Sequence, residues 1–219
     1  MNSTPHNITI QRTARYYTLG DFSAATEIWF VLHGYAHRAE SFIEFFRPIE
    51  SASRLIIAPE ALSRFYTKGF GGTVGASWMT REDRLNEIKD YINYLNTLYD
   101  EIINSLPSLP TKIVALGFSQ GVPALLRWIT SGKAKVNDTV IWSGDVPRDL
   151  DFMSYKTYTS HTSHHLLIGD NDTIVRPEIY QETEKLLNEN GILFTKKVFA
   201  GGHEITSEAL SSLVDQINT

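Results

Sequence analysis

The run Ile113-Val114-Ala115-Leu116-Gly117-Phe118-Ser119-Gln120-Gly121 decides how the rest of the chain is read. Its first four residues are apolar and make a short buried strand. The segment 122–129 that follows reads as a helix, so Ser119 stands at the tip of the turn between them. Such a turn holds its apex residue in a tight, often strained conformation, and the hydroxyl projects from the sheet. Gly117 and Gly121 let the strand and helix backbones pass close together without Cβ clashes. The turn also aims the Gln120 N–H and the helix N-terminus at the place where an oxyanion would form. G-x-S-x-G alone occurs in ordinary turns; the flanking strand and helix give it weight.

A serine hydroxyl is a poor nucleophile at neutral pH and needs a base, which in turn needs an orienting acid. Both follow in the chain. Gly169-Asp170-Asn171-Asp172 comes after the apolar run Leu166-Leu167-Ile168, and Gly201-Gly202-His203 comes after the strand-like segment 193–199. Each lies just past the carboxyl end of a strand, where open α/β sheets gather their sites. Ser119 is the candidate nucleophile, His203 the base and Asp172 the acid. Asp170 and Asp145 are rivals for the acid, although Asp170 is also placed to bind turn backbone. His33-Gly34-Tyr35 follows the apolar strand Ile28-Trp29-Phe30-Val31-Leu32, and the Tyr35 and Gln120 backbone N–H groups are the candidate oxyanion hole. His33 reads as a buried structural histidine. His161, His164 and His165 read as solvated or edge residues without a metal-ligand pattern.

Composition narrows the alternatives. The chain has 219 residues, enough for one domain spanning 1–219, and it has no cysteine, so disulfides, thiolate metal sites and a cysteine nucleophile are excluded. The net charge of −5, with no Lys/Arg cluster, gives nucleic-acid binding little support. The first seven residues are polar and lack a signal-peptide core, and no stretch is apolar enough to span a bilayer; the expected location is cytoplasmic.

Strands and helices alternate. Segment 8–19 reads as one or two edge strands and 38–46 as a helix closed by Pro48. Leu55-Ile56-Ile57-Ala58 is a buried strand, and a long helix capped by Thr80 runs to about Leu106. A strand at 139–142, a helix at 178–190 and a terminal helix at 207–217 complete the pattern. The expectation is an α/β fold: a mostly parallel central sheet with helices on both faces.

Taken together, these segments resemble the phospholipase/carboxylesterase family of α/β-hydrolases, which includes acyl-protein thioesterases. Leu32-His33-Gly34 resembles its oxyanion loop and Leu116-Gly117-Phe118-Ser119-Gln120-Gly121 its nucleophile motif. Trp142-Ser143-Gly144 with Val146-Pro147 resembles its Ser-Gly-x-x-Pro loop, and Gly169-Asp170-Asn171-Asp172 and Gly202-His203 its acid and base motifs. The resemblance makes Asp172 the acid. It implies an α/β-hydrolase fold without a large cap domain. It further implies a cofactor-free serine esterase or thioesterase for short to medium acyl chains, acting on a small-molecule substrate as a monomer or homodimer. The chain departs from the family pattern at Val122, at Tyr35-Ala36-His37-Arg38 and at Trp78-Met79-Thr80.

The stretch 62–79 is rich in aromatics and glycine and reads as a mobile wall over an acyl pocket, with Phe65, Tyr66, Phe70 and Trp78 joined by Val146 and Val175 as substrate-binding candidates. The competing function is a small-ligand sensor on a hydrolase scaffold. A peptidase of the same fold fits less well, because no propeller or cap domain accompanies the core.

Overall fold

The computed structural model describes residues 3–218; Met1, Asn2 and Thr219, which the single-domain reading includes, lie outside the described residues. The apolar runs become a seven-stranded sheet. Its strands are β1 (Tyr16–Leu19), β2 (Glu27–Leu32), β3 (Arg54–Pro59), β6 (Lys112–Phe118), β7 (Asp138–Trp142), β8 (Ser163–Gly169) and β9 (Thr195–Phe199). The order is β1-β3-β2-β6-β7-β8-β9, with β1 antiparallel to β3 and every other pairing parallel. A separate two-stranded hairpin is formed by β4 (Ser63–Tyr66) and β5 (Val74–Ser77).

The period-2 geometry of a strand sorts its side chains between two cores. Ile28, Phe30 and Leu32 of β2 face one cluster with Tyr91 and Leu95 of α2 (Arg84–Ser105), Leu125 and Trp128 of α3 (Gly121–Thr130) and Leu187 of α5 (Pro177–Glu189). Trp29 and Val31 face the other, with Phe42 of α1 (Ala39–Phe42) and Leu210 and Leu213 of α6 (Ser207–Ile217). Because both faces are covered, β2 and β6 are continuously apolar after their first residue. No large cap domain stands over the carboxyl edge of the sheet among the described residues.

Several local expectations are corrected. Of the segment 8–19 only β1 is strand, and Ile8 and Ile10 lie exposed in irregular chain. The helix expected at 38–46 is one turn, α1, running into a 3-10 segment, Ile43–Ile49, that contains Pro48. Thr80 does not cap α2. Asp83, in the left-handed conformation, occupies the cap position, and the Thr80 N–H and hydroxyl bond the Glu87 carboxylate instead. A short helix, α4 (Phe152–Tyr158), capped by Asp151, was not expected. His164 and His165 are buried rather than solvated, because β8 begins at Ser163 and carries them between β7 and β9. There His165 Nε2 lies 2.8 Å from Asp138 Oδ1, and His164 Nδ1 lies 3.2 Å from the Tyr155 hydroxyl.

Candidate active site

The turn after β6 is strained at the residue that matters. Ser119 has φ 52°, a left-handed conformation that costs a non-glycine residue about 1–3 kcal/mol and persists only where the surroundings enforce it. The enforcement is visible on both sides. The Ser119 N–H donates to the Trp142 carbonyl at 3.0 Å, and the Ser119 carbonyl accepts from Val122 at 2.9 Å. A Cβ on Gly117 would lie 2.6 Å from the Gly121 carbonyl oxygen, and one on Gly121 only 2.1 Å from that of Leu32. Both glycines are therefore required by the crossing of α3 over β2 and β6.

His203 stands in the loop between β9 and α6, and Asp172 in the loop after β8. The two loops are laced together: Asp170 Oδ1 accepts from the Gly201 N–H at 3.0 Å, and the Asn171 N–H donates to the Gly201 carbonyl at 2.9 Å. Trp142 holds the histidine loop from below, its indole N–H donating to the Glu204 carbonyl at 2.9 Å. His203 Nε2 then lies 2.9 Å from Ser119 Oγ, and His203 Nδ1 lies 2.9 Å from Asp172 Oδ2. Asp172 Oδ1 also accepts from the Ile174 and Val175 N–H groups at 2.9 and 2.8 Å. Burial alone would raise the Asp172 carboxyl, but these hydrogen bonds, with that from His203 foremost, outweigh it and hold the group below its ordinary range. An ionised Asp172 keeps the imidazole proton on Nδ1, which leaves Nε2 free to accept from the serine hydroxyl. Asp145 is exposed and Asp170 is spent on the turn backbone, so neither rival for the acid reaches His203.

The loop after β2 is built around His33. Its Nδ1 lies 2.8 Å from the Gly34 carbonyl, and its Nε2 accepts from the Ala61 N–H at 3.0 Å. Burial pushes His33 down to about 4, so the ring is neutral at physiological pH. A Cβ on Gly34 would lie 3.2 Å from that of Ser119, which brings the loop against the serine. Among the described residues neither the Tyr35 nor the Gln120 backbone N–H has an acceptor. Beside Ser119 opens a cavity of about 650 Å³ whose wall includes Gln120, Pro123 and Arg127 of the elbow and α3, with Val175 and Ile179 opposite.

Comparison with known proteins gives the family and the fold. The family model described as phospholipase/carboxylesterase matches residues 22–219. The chain belongs to the phospholipase/carboxylesterase family. It is thus an α/β-hydrolase of a family that cleaves carboxylic esters. Among solved structures it resembles acyl-protein thioesterase 2 of Zea mays, with a TM-score of 0.71 at 19% identity over 94% of this chain and 98% of that one. A phospholipase/carboxylesterase from Dyadobacter fermentans gives 0.70 at 20% identity, over 97% and 100% of the two chains. The Bacillus cereus carboxylesterase gives 0.67 at 16% identity, over 94% and 93%. At these identities the likeness is one of fold. A search of curated proteins finds no match.

Against this phospholipase/carboxylesterase frame the expected substrate residues divide. Val175 lines the cavity. Val146 is buried between Asp145 and Pro147, which do line it. Trp78 is buried beneath the site: its indole N–H donates to the His33 carbonyl at 2.8 Å and its ring packs on His33 and Tyr91. Phe65 and Tyr66 belong to the hairpin, where Phe65 stacks on Tyr35, and Phe70 is fully exposed near the hairpin tip; none of the three lines the cavity. The expected mobile wall is thus a paired β4–β5 element, and Gln120 fastens its end. The Gln120 side chain accepts from the Trp78 N–H at 3.1 Å and donates to the Met79 carbonyl at 2.9 Å.

Of the cavity's five charged residues, Arg84, Arg127, Arg148 and Asp149 escaped sequence reasoning, and Asp145 entered it only as a rival acid. One signal was available: Arg127 is the single charged residue of α3, seven positions after Gln120 on the same face as Pro123. Among the described residues no group of three or more His, Asp or Glu side chains could hold a metal ion, and no helix is long and apolar enough to cross a membrane.

Proposed function

We propose that this chain is a serine hydrolase that cleaves carboxylic esters or thioesters of short to medium acyl chains through an acyl-enzyme intermediate. One observation carries the reading: the unbroken series Ser119 Oγ, His203 Nε2, His203 Nδ1, Asp172 Oδ2, with both links at 2.9 Å. In this reading His203 takes the Ser119 proton as Oγ attacks the substrate carbonyl. The tetrahedral oxyanion turns toward the Tyr35 and Gln120 N–H groups, whose lack of an internal acceptor supports that role. His203 then passes its proton to the departing alkoxide or thiolate. Water, deprotonated by the same ring, releases the acid from Ser119. Every proton passes through His203, and the chemistry calls for no cofactor.

The cavity volume of about 650 Å³ suits a small substrate. A sensor that only binds its ligand would have no use for a strained serine joined to a histidine and a carboxylate. Turnover of p-nitrophenyl esters of increasing chain length, with an acyl thioester alongside, tests the reading. Hydrolysis of the shorter neutral esters supports it. A folded protein that turns over none of them contradicts it.

A further inference from the structure

The cavity beside Ser119 carries a charge arrangement that ester hydrolysis alone does not need. Arg127 is 8% exposed, yet its guanidinium has one strong partner, Asp149 Oδ1 at 2.7 Å. Its other neighbours are the Pro123 carbonyl at 3.4 Å, the Met79 sulfur at 3.8 Å and the Tyr91 hydroxyl. A guanidinium offers five N–H donors, and Asp149 is the one charged acceptor bonded to it among the described residues. Asp149 does not belong to Arg127 alone, because its Oδ2 accepts from Arg84 at 2.9 Å. Two cations therefore share one carboxylate on the wall of the cavity, and that carboxylate is itself half exposed. The third arginine of the wall, Arg148, is turned to Glu182. The wall thus carries three arginines against two aspartates, Asp145 and Asp149, in a chain whose net charge is −5.

The position of the pair is informative. Helical side chains lean toward the N-terminus, and the Arg127 contact with the Pro123 carbonyl places its guanidinium a turn back toward Ser119. From the 1.5 Å rise per residue it stands roughly 6–8 Å beyond the serine. The same wall carries the apolar residues Met79, Pro123, Val175 and Ile179, with Gln120 and Asp145 as polar members. His203 does not line the cavity. The leaving group must lie at His203 to receive its proton, so the group that fills the cavity is the acyl part.

We propose that this enzyme prefers esters or thioesters whose acyl chain ends in a carboxylate, the monoesters of dicarboxylic acids, with Arg127 and Arg84 receiving the terminal carboxylate. The inference rests on the reading of Ser119 as the nucleophile. The methylene spacer packs on the apolar wall, and the carboxylate spends the guanidinium donors that Asp149 leaves free.

The test compares p-nitrophenyl monoesters of adipic and pimelic acid with the neutral hexanoate and heptanoate of equal length, each corrected for its uncatalysed rate. The quantity read is the ratio of kcat/KM, charged over neutral. The wild-type ratio is expected at about ten or more, the value of one charge-assisted hydrogen bond. In Arg127→Gln and in Arg84→Gln the ratio is expected to fall about tenfold, through KM for the charged ester. A wild-type ratio of one or below overturns the proposal, as does a ratio that neither folded variant changes. If Arg127→Gln does not fold, Arg84→Gln decides, since Arg84 lies nearer the surface. Failure of the wild type on the neutral esters as well would instead strike at the hydrolase reading.

Discussion

Gly121 and Leu32 touch where α3 crosses β2: a Cβ built on the glycine would lie 2.1 Å from the leucine carbonyl oxygen. Backbone is on both sides of that contact, so no flexible side chain can give way. Gly121→Ala must therefore push α3 off the sheet and carry Ser119 with it. The expected result is a loss of several kcal/mol of stability, in the range of overpacked cores, together with most of the activity. Urea unfolding and ester turnover check it; a variant with wild-type midpoint and rate would mean that the crossing is looser than the geometry says.

The acid can be separated from its neighbours. Asp172→Asn removes the carboxylate that holds the His203 proton on Nδ1, and the corresponding change in a serine protease lowers kcat about 10⁴-fold. Asp170→Asn keeps an oxygen able to accept from Gly201, and Asp145→Asn touches neither partner, so both should cost far less. Steady-state kinetics on a neutral aryl ester compares the three, and a larger loss in either rival would move the acid away from Asp172.

Two buried histidines should make stability depend on acid. Burial pushes His33 and His164 each down to about 4 in the folded chain, the latter with help from the neighbouring His165. In the unfolded chain both titrate near about 6.5. Between those values the unfolded state binds more protons, so stability falls as the pH drops from about 6.5 to 4 and is fully present above that window. Each group contributes on the order of 3 kcal/mol over it. Urea midpoints measured across the window should fall with acid, and a flat profile would contradict the burial of both rings. Asp172, whose carboxyl the His203 and backbone hydrogen bonds hold below its ordinary range, adds no acidic limb to kcat/KM within this window.

Legibility of the chain followed the locality of its signals. Ile28 to Leu32 and Ile113 to Leu116 are continuously apolar because parallel strands are covered on both faces, and the turn at Ser119 sits where strand meets helix. Those features are written in adjacent residues, so the mostly parallel sheet could be read directly. His164 and His165 were misread because a polar residue at the start of a strand looks solvated until its neighbours, Asp138 and Tyr155, are known from other elements. The hairpin looked like a loop because its glycines carry no pattern and its strands are short and half exposed. Trp78 looked like a substrate contact because an aromatic near a site reads the same whether it faces the ligand or, as here, supports His33 from below. The pairing of Arg84, Arg127 and Asp149 joins residues 22 to 65 positions apart and has no local signature beyond the lone charge in α3.

The central claim is that Ser119 is the nucleophile, and covalent labelling tests it most directly. A fluorophosphonate reacts with a serine only when a base activates it and an oxyanion hole receives the phosphoryl oxygen. Intact mass followed by peptide mapping should find one adduct per chain, on the peptide carrying Ser119, and none on Ser119→Ala folded to the same midpoint. An adduct on another serine, or one that survives in Ser119→Ala, would contradict the account.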